Sequence, residues 1–401
     1  MGWPLTLDRM PPLSYITPRN RDRRMKSHAY AVIMAGGRGT RFWPLSRSHR
    51  PKHLLRVLSE KSLIRETVDR LLPLFGPQSI LVVTVAEHYD AVRKELPSLP
   101  RTNLLTEPQG KNTAPCIGLA AIELIARDPN AIMTVLPADH WISNAGAFQR
   151  TLRAASRLAE RHDALVTVGL RPGYPETGYG YILRGKKLNG PTSGRAYRVK
   201  GFKEKPSPQA AAKLIKSGAL WNSGIFAWRA PTILAMLRRF EPALYSGLEK
   251  IGRETRGRRL ANVDPELRAL VRREYKKMPN ISIDYAVLEK AGSEGKVLTL
   301  EGDFGWSDVG NWASVHRMLP QDRRGNAGVG KWLGFESRDC LVYSPDRLVV
   351  LLGARDMVVV DTPDALLVGD MKRAQEVRDL VEELRRKGFG RYTVSPVPKK
   401  S

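Results

Sequence analysis

Cysteine is scarce in this chain. Cys116 and Cys340 are the only two among 401 residues, which excludes a disulfide framework and fits a reducing cytosol. Cys116, in an apolar stretch of helical character, reads as core. Long apolar runs are missing too. None reaches the roughly 20 residues of a membrane span, and the N-terminus lacks the apolar centre of a secretory signal, so a cytoplasmic protein with no membrane partner is expected. Acid is in short supply, with 40 Asp and Glu against 66 Lys and Arg and a formal net charge of +26. The basic clusters (Arg19 to Lys26, Arg253 to Arg259, Arg385 to Lys387) lack interleaved aromatics or a binding motif, and no specific nucleic-acid interface is expected. The charge fits an Arg-rich solvated surface or the attraction of small anions.

What is present is concentrated between Ala29 and Leu55. The apolar run Ala29–Ala35 stops at Gly36 and Gly37, and a tight loop follows with Arg38, Gly39, Thr40 and Arg41, then Pro44, Arg50, Pro51 and Lys52. A buried strand would deliver this loop to the carboxyl edge of an open α/β sheet, where ligands bind. Glycines let the backbone approach a phosphate chain with N–H groups turned inward, and Arg41 and Lys52 add fixed positive charge. This reads as a polyphosphate cradle. It is not a Walker loop, because no Lys follows the glycines directly, and it is not the dinucleotide fingerprint, because Phe42-Trp43-Pro44 stands where a helix would open.

From Ala29 onward, apolar strands alternate with amphipathic helices. Strands are predicted at Ala29–Ala35, Ile80–Val85, Thr102–Leu105, Ile132–Leu136 and Ala164–Gly169, and helices at Ser62–Leu72, Glu87–Glu95, Ala114–Ala126 and Gly146–Arg161. Such alternation predicts an α/β, Rossmann-like domain on a mixed, mainly parallel sheet. Toward the C-terminus the pattern changes to short strands at Leu341–Tyr343, Leu348–Leu352, Met357–Asp361 and Ala365–Val368, split by turns such as Ser344-Pro345-Asp346. The gaps are too short for crossover helices, so a small β unit is expected, closed by a helix from Lys372 to Arg386 before Gly388. The division predicted is a disordered basic arm over 1–26, a catalytic domain over 27–318, and a small β domain with a terminal helix over 319–401.

Further motifs carry chemistry. In Ala131–His140 an apolar strand ends at Leu136 and Asp139 follows in a turn. Position alone leaves a capping role and a Mg²⁺ ligand equally open; the nearby cradle favours the metal. Asp308, in DFGWSDVGNW, reads by itself more commonly as an Asx turn, although a second carboxylate from a distant part of the chain is what a Mg²⁺ site would need. Glu204 and Lys205 pair before Pro206. ETGYGY (176–181) and WNSGIFAW (221–228) combine Gly, polar groups and aromatic surfaces suited to a sugar. EPQGKNTAP (107–115) lies between a strand and a helix, and ISIDYAVLE (281–289) offers Ile283, Ala286 and Val287 as a core face, with Asp284 near a pocket.

GGRGTRFWPLSRSHRPK resembles the G-G-x-G-T-R-x-x-P-L-[ST]-x-x-x-P-K loop of the sugar nucleotidyltransferases, with one extra residue before Pro51-Lys52. Its Phe-Trp-Pro-Leu-Ser version is most similar to the mannose-1-phosphate guanylyltransferases. The resemblance runs through the motifs just quoted and implies a nucleotidyltransferase domain followed by a short left-handed β-helix near a subunit contact, which leaves room for a homodimer. It implies Asp139 and Asp308 as ligands of Mg²⁺, and Arg41, Lys52 and Lys205 as catalytic cations. Gly36, Gly37, Gly39, Thr40, Gly110, Asn112 and Thr113 would bind the nucleotide. Gly178, Glu204 and Asn222 would bind mannose.

The reaction so implied is GTP plus mannose 1-phosphate giving GDP-mannose and pyrophosphate. A sugar phosphate is largely ionised at neutral pH, so it needs no general base; positioning and charge neutralisation are the catalytic task. His140 is expected only to shape its turn. Other nucleotide or sugar specificities, or a silent GDP-mannose-binding homologue, are the alternatives; intact Asp139, Asp308 and Lys205 speak against silence. Longer family members carry a cupin isomerase domain, whose His-rich cluster this sequence does not show, so isomerase activity is not expected.

Overall fold

The structure is a computed structural model and describes Met25 and residues 28–37, 39–189, 195–255, 257–260 and 264–394. The basic arm expected over 1–26, apart from Met25, lies outside the described residues, as does Arg38. Among the described residues no helix is long and apolar enough to cross a membrane.

Strand β1 (Ala29–Ala35) shows how the first half is built. Ala31, Ile33 and Ala35 enter one hydrophobic core, while Val32 enters the other. The period of two thus buries both faces, as a central parallel strand requires. Strands β2 (Ile80–Val85), β3 (Leu104–Glu107) and β4 (Ile132–Pro137) continue the parallel array in the order β3-β2-β1-β4. Helices α1 (Leu63–Leu71), α2 (Tyr89–Glu95) and α4 (Ala145–His162) cover one face and α3 (Thr113–Arg127) the other. Each start has a local cause: Ser62 accepts from Arg65 N at α1, and Asn144 accepts from Ala147 N at α4.

A two-stranded ribbon, β5 (Trp141–Ile142) with a later partner, branches off after β4. The main sheet then continues through β6 (Leu165–Leu170), β7 (Gly180–Lys187), β8 (Ala196–Glu204), β9 (Leu220–Arg229) and β10 (Val297–Gly302), and the full order is β3-β2-β1-β4-β9-β6-β10-β8-β7. Here the pairing turns largely antiparallel: β9 runs against both β4 and β6, and β8 against both β10 and β7. The sheet is mixed as expected, but parallel pairing dominates only its first half. The partner of β5 is β11 (Trp306–Ser307), and this ribbon brings the Asp139 turn and the Asp308 turn side by side.

Beyond it, β12 (Ala327–Phe335), β13 (Leu341–Leu352), β14 (Met357–Asp361) and β15 (Leu366–Asp370) form a separate four-stranded sheet. The first three are parallel neighbours joined by short loops, and the last is antiparallel. Parallel neighbours ordinarily need long crossovers. Here β12 and β13 each bend and run along two sides, with the register shifting between Gly330 and Trp332, so the chain coils back on itself. The Ser344-Pro345-Asp346 turn expected between two strands is such a bend within one strand, and β12 has no counterpart in the sequence reading.

Smaller differences concern element ends. The strand expected at Thr102–Leu105 lies at Leu104–Glu107, because Arg101–Asn103 form a 3-10 turn. The terminal helix begins as 3-10 over Met371–Glu376 and becomes α only at Val377. Phe42, Trp43, Trp312 and Tyr343 join Val358, Val360, Val377 and Val381 in a third core, which ties the back of the glycine loop to the C-terminal strands and helix.

Candidate functional site

The carboxyl ends of β1, β3 and β4 open into a cavity of about 610 Å³. Gly36 and Gly37 from the first loop, Gly110, Asn112 and Thr113 from the turn before α3, and Asp139 from the end of β4 all line it. Six of the residues singled out from sequence therefore share one wall. Asn112 holds φ at 67° and accepts from Thr113 N, which starts α3. The Thr113 hydroxyl accepts from Ile283 N, fixing the 281–289 segment against the helix start. Ile283, Ala286 and Val287 are fully buried, as expected of a core face.

Thr40 and Arg41 begin a single 3-10 turn after Gly39, whose φ of 66° is left-handed. A Cβ at Gly39 would stand 2.2 Å from Cβ of Lys52, so only glycine fits there. Arg41 is half-buried. Thr40 lines a separate crevice with Trp43, Ser46, Arg47 and Thr393, away from the cavity.

Lys52 is the junction. Its ammonium lies 2.7 Å from Oδ2 of Asp139 and donates to the main-chain oxygen of Asp308 at 2.5 Å. The sequence reading put this cation beside a triphosphate; the structure pairs it with the two turns that carry the carboxylates. Burial works against the Asp139 carboxylate, but the Lys52 ammonium beside it, with His140, more than offsets this and holds its pKa below 3.8. His140 accepts from Trp306 Nε1 at 3.1 Å, and burial lowers its pKa to about 4. It is a neutral prop of the turn, as expected. Asp308 Oδ1 accepts from the Tyr179 hydroxyl at 2.6 Å.

Tyr179 leads to the residues that the sequence marks for a sugar. Its ring meets Trp221 and Trp306 edge-on, and its main-chain oxygen accepts from Lys205 N. Glu204 closes β8, and its Oε2 would lie 2.4 Å from a Cβ at Gly180 on the facing strand. Lys205, mostly exposed, holds Nζ 3.4 Å from Oε1 of Glu204. Gly178 N donates to Glu176 Oε1. Asn222, on β9, accepts from Thr167 Oγ1 and donates to Asp284 Oδ1 at 2.7 Å. Burial, then the nearby Glu204 charge, raises Asp284 to a pKa of about 6.

Sequence reasoning passed over several cavity residues. Glu107, the last residue of β3, is buried and lines the cavity. Its Oε1 accepts from the Tyr275 hydroxyl, while Oε2 lies 3.1 Å from a Cβ position at Gly36. Burial raises its pKa to about 7. The available signal was an acid closing an apolar strand. Cys116 is buried as expected but also lines the cavity. Lys111 is not a phosphate cation: its ammonium donates to the main-chain oxygens of Lys276 and Met278.

The oxygen donors around Lys52 suit a hard divalent cation. The described residues hold no cluster of three or more His, Cys, Asp or Glu able to bind a metal. Asp139 and Asp308 alone suit an ion that completes its shell with water and substrate phosphates, which is the habit of Mg²⁺. A lysine ammonium already drawn to Asp139 and to the Asp308 carbonyl shows that the place attracts positive charge.

Comparison with known proteins places the chain in a family. The family model described as "Nucleotidyl transferase" matches residues 30–325, and that of a "MannoseP isomerase/GMP-like beta-helix domain" matches 330–384. A mannose-1-phosphate guanylyltransferase of Klebsiella pneumoniae is 36% identical over 90% of this chain and 75% of its own length. The mannose-1-phosphate guanylyltransferase ManC of Salmonella typhimurium is 37% identical over 90% and 74%. A crystal structure from Thermus thermophilus, described as a mannose-1-phosphate geranyltransferase, superposes with a TM-score of 0.78 at 35% identity, covering 89% of this chain and 99% of that one.

The junction makes a pH-dependent prediction. Lys52→Met should cost about 1–3 kcal/mol at neutral pH by leaving Asp139 without its partner. A depressed carboxylate pKa contributes stability above the unfolded value and loses it as pH falls through the folded value. The gap between variant and native urea midpoints should therefore close below pH 3.8. A gap unchanged from neutral pH down to the acid limit would show that Lys52 does not hold this carboxylate.

Proposed function

The chain belongs to the nucleotidyl transferase family, among the mannose-1-phosphate guanylyltransferases, and on that footing we propose that it transfers GMP from GTP to α-D-mannose 1-phosphate, releasing pyrophosphate and giving GDP-mannose. The observation that carries the reading is the junction of Lys52, Asp139 and Asp308, which joins a nucleotide-sized cavity to a polar and aromatic cluster fit for a sugar.

An oxygen of the sugar phosphate attacks the α-phosphorus of GTP, the bond from that phosphorus to the bridging oxygen breaks, and pyrophosphate leaves with the electron pair. Main-chain N–H groups of Gly36 and Gly37 in the cavity, and of Gly39 and Thr40 beside it although the Thr40 side chain turns to the other crevice, hold the departing phosphates with Arg41, and Lys52 adds charge beside Asp139. Lys205 holds the attacking phosphate. Glu204, Asn222 and Gly178 hold the mannose hydroxyls, with Trp221 and Tyr179 giving apolar walls. Mg²⁺ is the divalent ion proposed at Asp139 and Asp308, where it would neutralise phosphate charge. Gly110, Asn112 and Thr113 face the base and ribose. Glu107 adds a discriminating acceptor, because guanine offers an N1–H and a 2-amino group to a carboxylate whereas adenine does not.

The domain division is proposed at 27–318 for catalysis and 319–401 for the β-helix unit. Two buried free thiols, Cys116 and Cys340, support a cytoplasmic setting. A homodimer is proposed through the outer face of the β-helix. Leu333 pairs with Val350 and Phe335 with Leu352, and these four, with Leu348, are 55–77% exposed. A self-complementary apolar sheet face of this kind suits a two-fold contact. Sedimentation equilibrium should give a dimer for the native chain and a monomer for Val350→Glu/Leu352→Glu; a native monomer at micromolar concentration removes the dimer.

Pyrophosphate release should need GTP, mannose 1-phosphate and Mg²⁺ together and should stop with EDTA. Release without mannose 1-phosphate, or none at all, would sink the reaction. Asp139→Ala, Asp308→Ala and Lys205→Ala should each lower kcat/KM by about 100-fold or more in a folded chain; a variant near native turnover takes its residue out of the mechanism.

Glu107 predicts a pH profile. Ionised Glu107 accepts from guanine, so kcat/KM for GTP should rise through pH about 7. Glu107→Gln should remove that rise and narrow the preference for GTP over ATP. A profile identical in native and variant enzymes would exclude Glu107 as the base reader.

A further inference from the structure

The glycine loop contains an arginine that does not face the cavity. Arg47 is 3% exposed and turns its whole fork to the C-terminal unit. Nη2 donates to Asp364 Oδ1 at 2.8 Å and Nη1 to Asp364 Oδ2 at 3.3 Å, while Nη1 also donates to the main-chain oxygen of Tyr392. Nε returns to Pro44 O at 2.6 Å, within the loop itself. Trp43 Nε1 donates to the same Tyr392 oxygen at 2.9 Å, and Ser48 N donates to Thr393 O at 3.2 Å. The 3-10 turn Gly390–Thr393 and the β14–β15 turn at Asp364 thus grip the loop from behind.

The front of the loop carries the grip forward. Ser46 Oγ donates to Gly39 O at 2.7 Å, and Gly39 sits directly against Lys52. Lys52 in turn reaches Asp139 and Asp308. The path from Asp364 therefore runs through Arg47, its chain neighbour Ser46, Gly39 and Lys52 to the Asp139 carboxylate and the main-chain oxygen of Asp308. Side-chain length matters at each step, since a bidentate fork fixes both distance and angle.

We propose that Asp364 is a positioning residue for the nucleotide phosphates: through Arg47, and together with the main chain of 392–394, it holds loop 39–52 in the shape that presents its N–H groups and Lys52. This rests on the reading of that loop as the phosphate cradle. The C-terminal β unit is then part of how the cradle works, although none of its residues touches substrate. Burial lowers the Arg47 pKa and Asp364 opposes that shift, so a neutral partner at 364 leaves a buried cation searching for another acceptor, and the loop must move to supply one.

The test compares Asp364→Asn with the native chain in two readouts. Hydrogen exchange of the apo proteins should be faster in residues 39–52 of the variant and unchanged in β1–β4 and α3. Steady-state pyrophosphate release should show KM for GTP raised about tenfold, with KM for mannose 1-phosphate within about twofold. A variant that merely folds less well would lose kcat and keep both KM values, and that result would overturn the proposal, as would native exchange in the loop. Trp43→Phe, which removes one donor to Tyr392 O and keeps the buried ring, should move both readouts in the same direction by a smaller amount; it keeps the test decisive if Asp364→Asn does not fold. If the native chain releases no pyrophosphate, the reaction fails while the exchange comparison still decides whether Asp364 holds the loop.

Discussion

The Lys52 ammonium holds together three stretches that are far apart in the chain: its own loop after β1, the Asp139 turn after β4, and the Asp308 turn after β11. It neutralises the Asp139 carboxylate and satisfies the main-chain oxygen of Asp308, while the Asp308 carboxylate accepts from Tyr179. The arrangement of the cavity on one side and the sugar cluster on the other follows from that pairing. Asp139 lines the cavity, Asp308 accepts from Tyr179, and Tyr179 meets Trp221, the chain neighbour of Asn222, edge-on. A reaction between two phosphorylated substrates needs them to meet over fixed positive charge, and the junction is the place we propose for that meeting.

Around the junction the polar groups work by burial. Glu107 and Asp284 are carboxyls pushed upward by desolvation, to about 7 and about 6, whereas Asp139 is held down because a lysine sits on it. Their environments separate groups of one chemical type, with Asp139 kept charged beside Lys52 and Glu107 raised toward neutrality in the cavity. His53 and His140 lose their protons for the same reason, burial, which lowers them to about 3 and about 4. His53 adds shape to the cavity wall and His140 to the turn beside it, and neither adds charge at neutral pH.

Much of this was legible in the residues themselves. The first parallel strands, the glycine loop, the Asp139 turn and the wall made by Gly110, Asn112 and Thr113 all lie in short local patterns, where an apolar period of two ends at glycine, proline or acid. Less legible were features that depend on a partner from elsewhere. The antiparallel second half of the sheet, the bend that makes 341–352 a single strand, and the strand 327–335 have no local signature, because pairing with other strands settles them. Glu107 looked like one more polar residue until Tyr275 and Gly36 closed on it.

The sequence by itself determined the kind of chemistry: a glycine loop with cations after a buried strand, acids at strand ends and a surplus of positive charge specify a phosphate-handling α/β protein, because those properties belong to residue type and spacing. Only the tertiary structure decided which groups act together. Lys52 pairs with an acid 87 positions away and with a main-chain oxygen 256 positions away, and Arg47 with an acid 317 positions away. No periodicity encodes such distances, since they arise when the sheet, the ribbon and the β-helix close around shared cores and leave each buried charge the partner it needs.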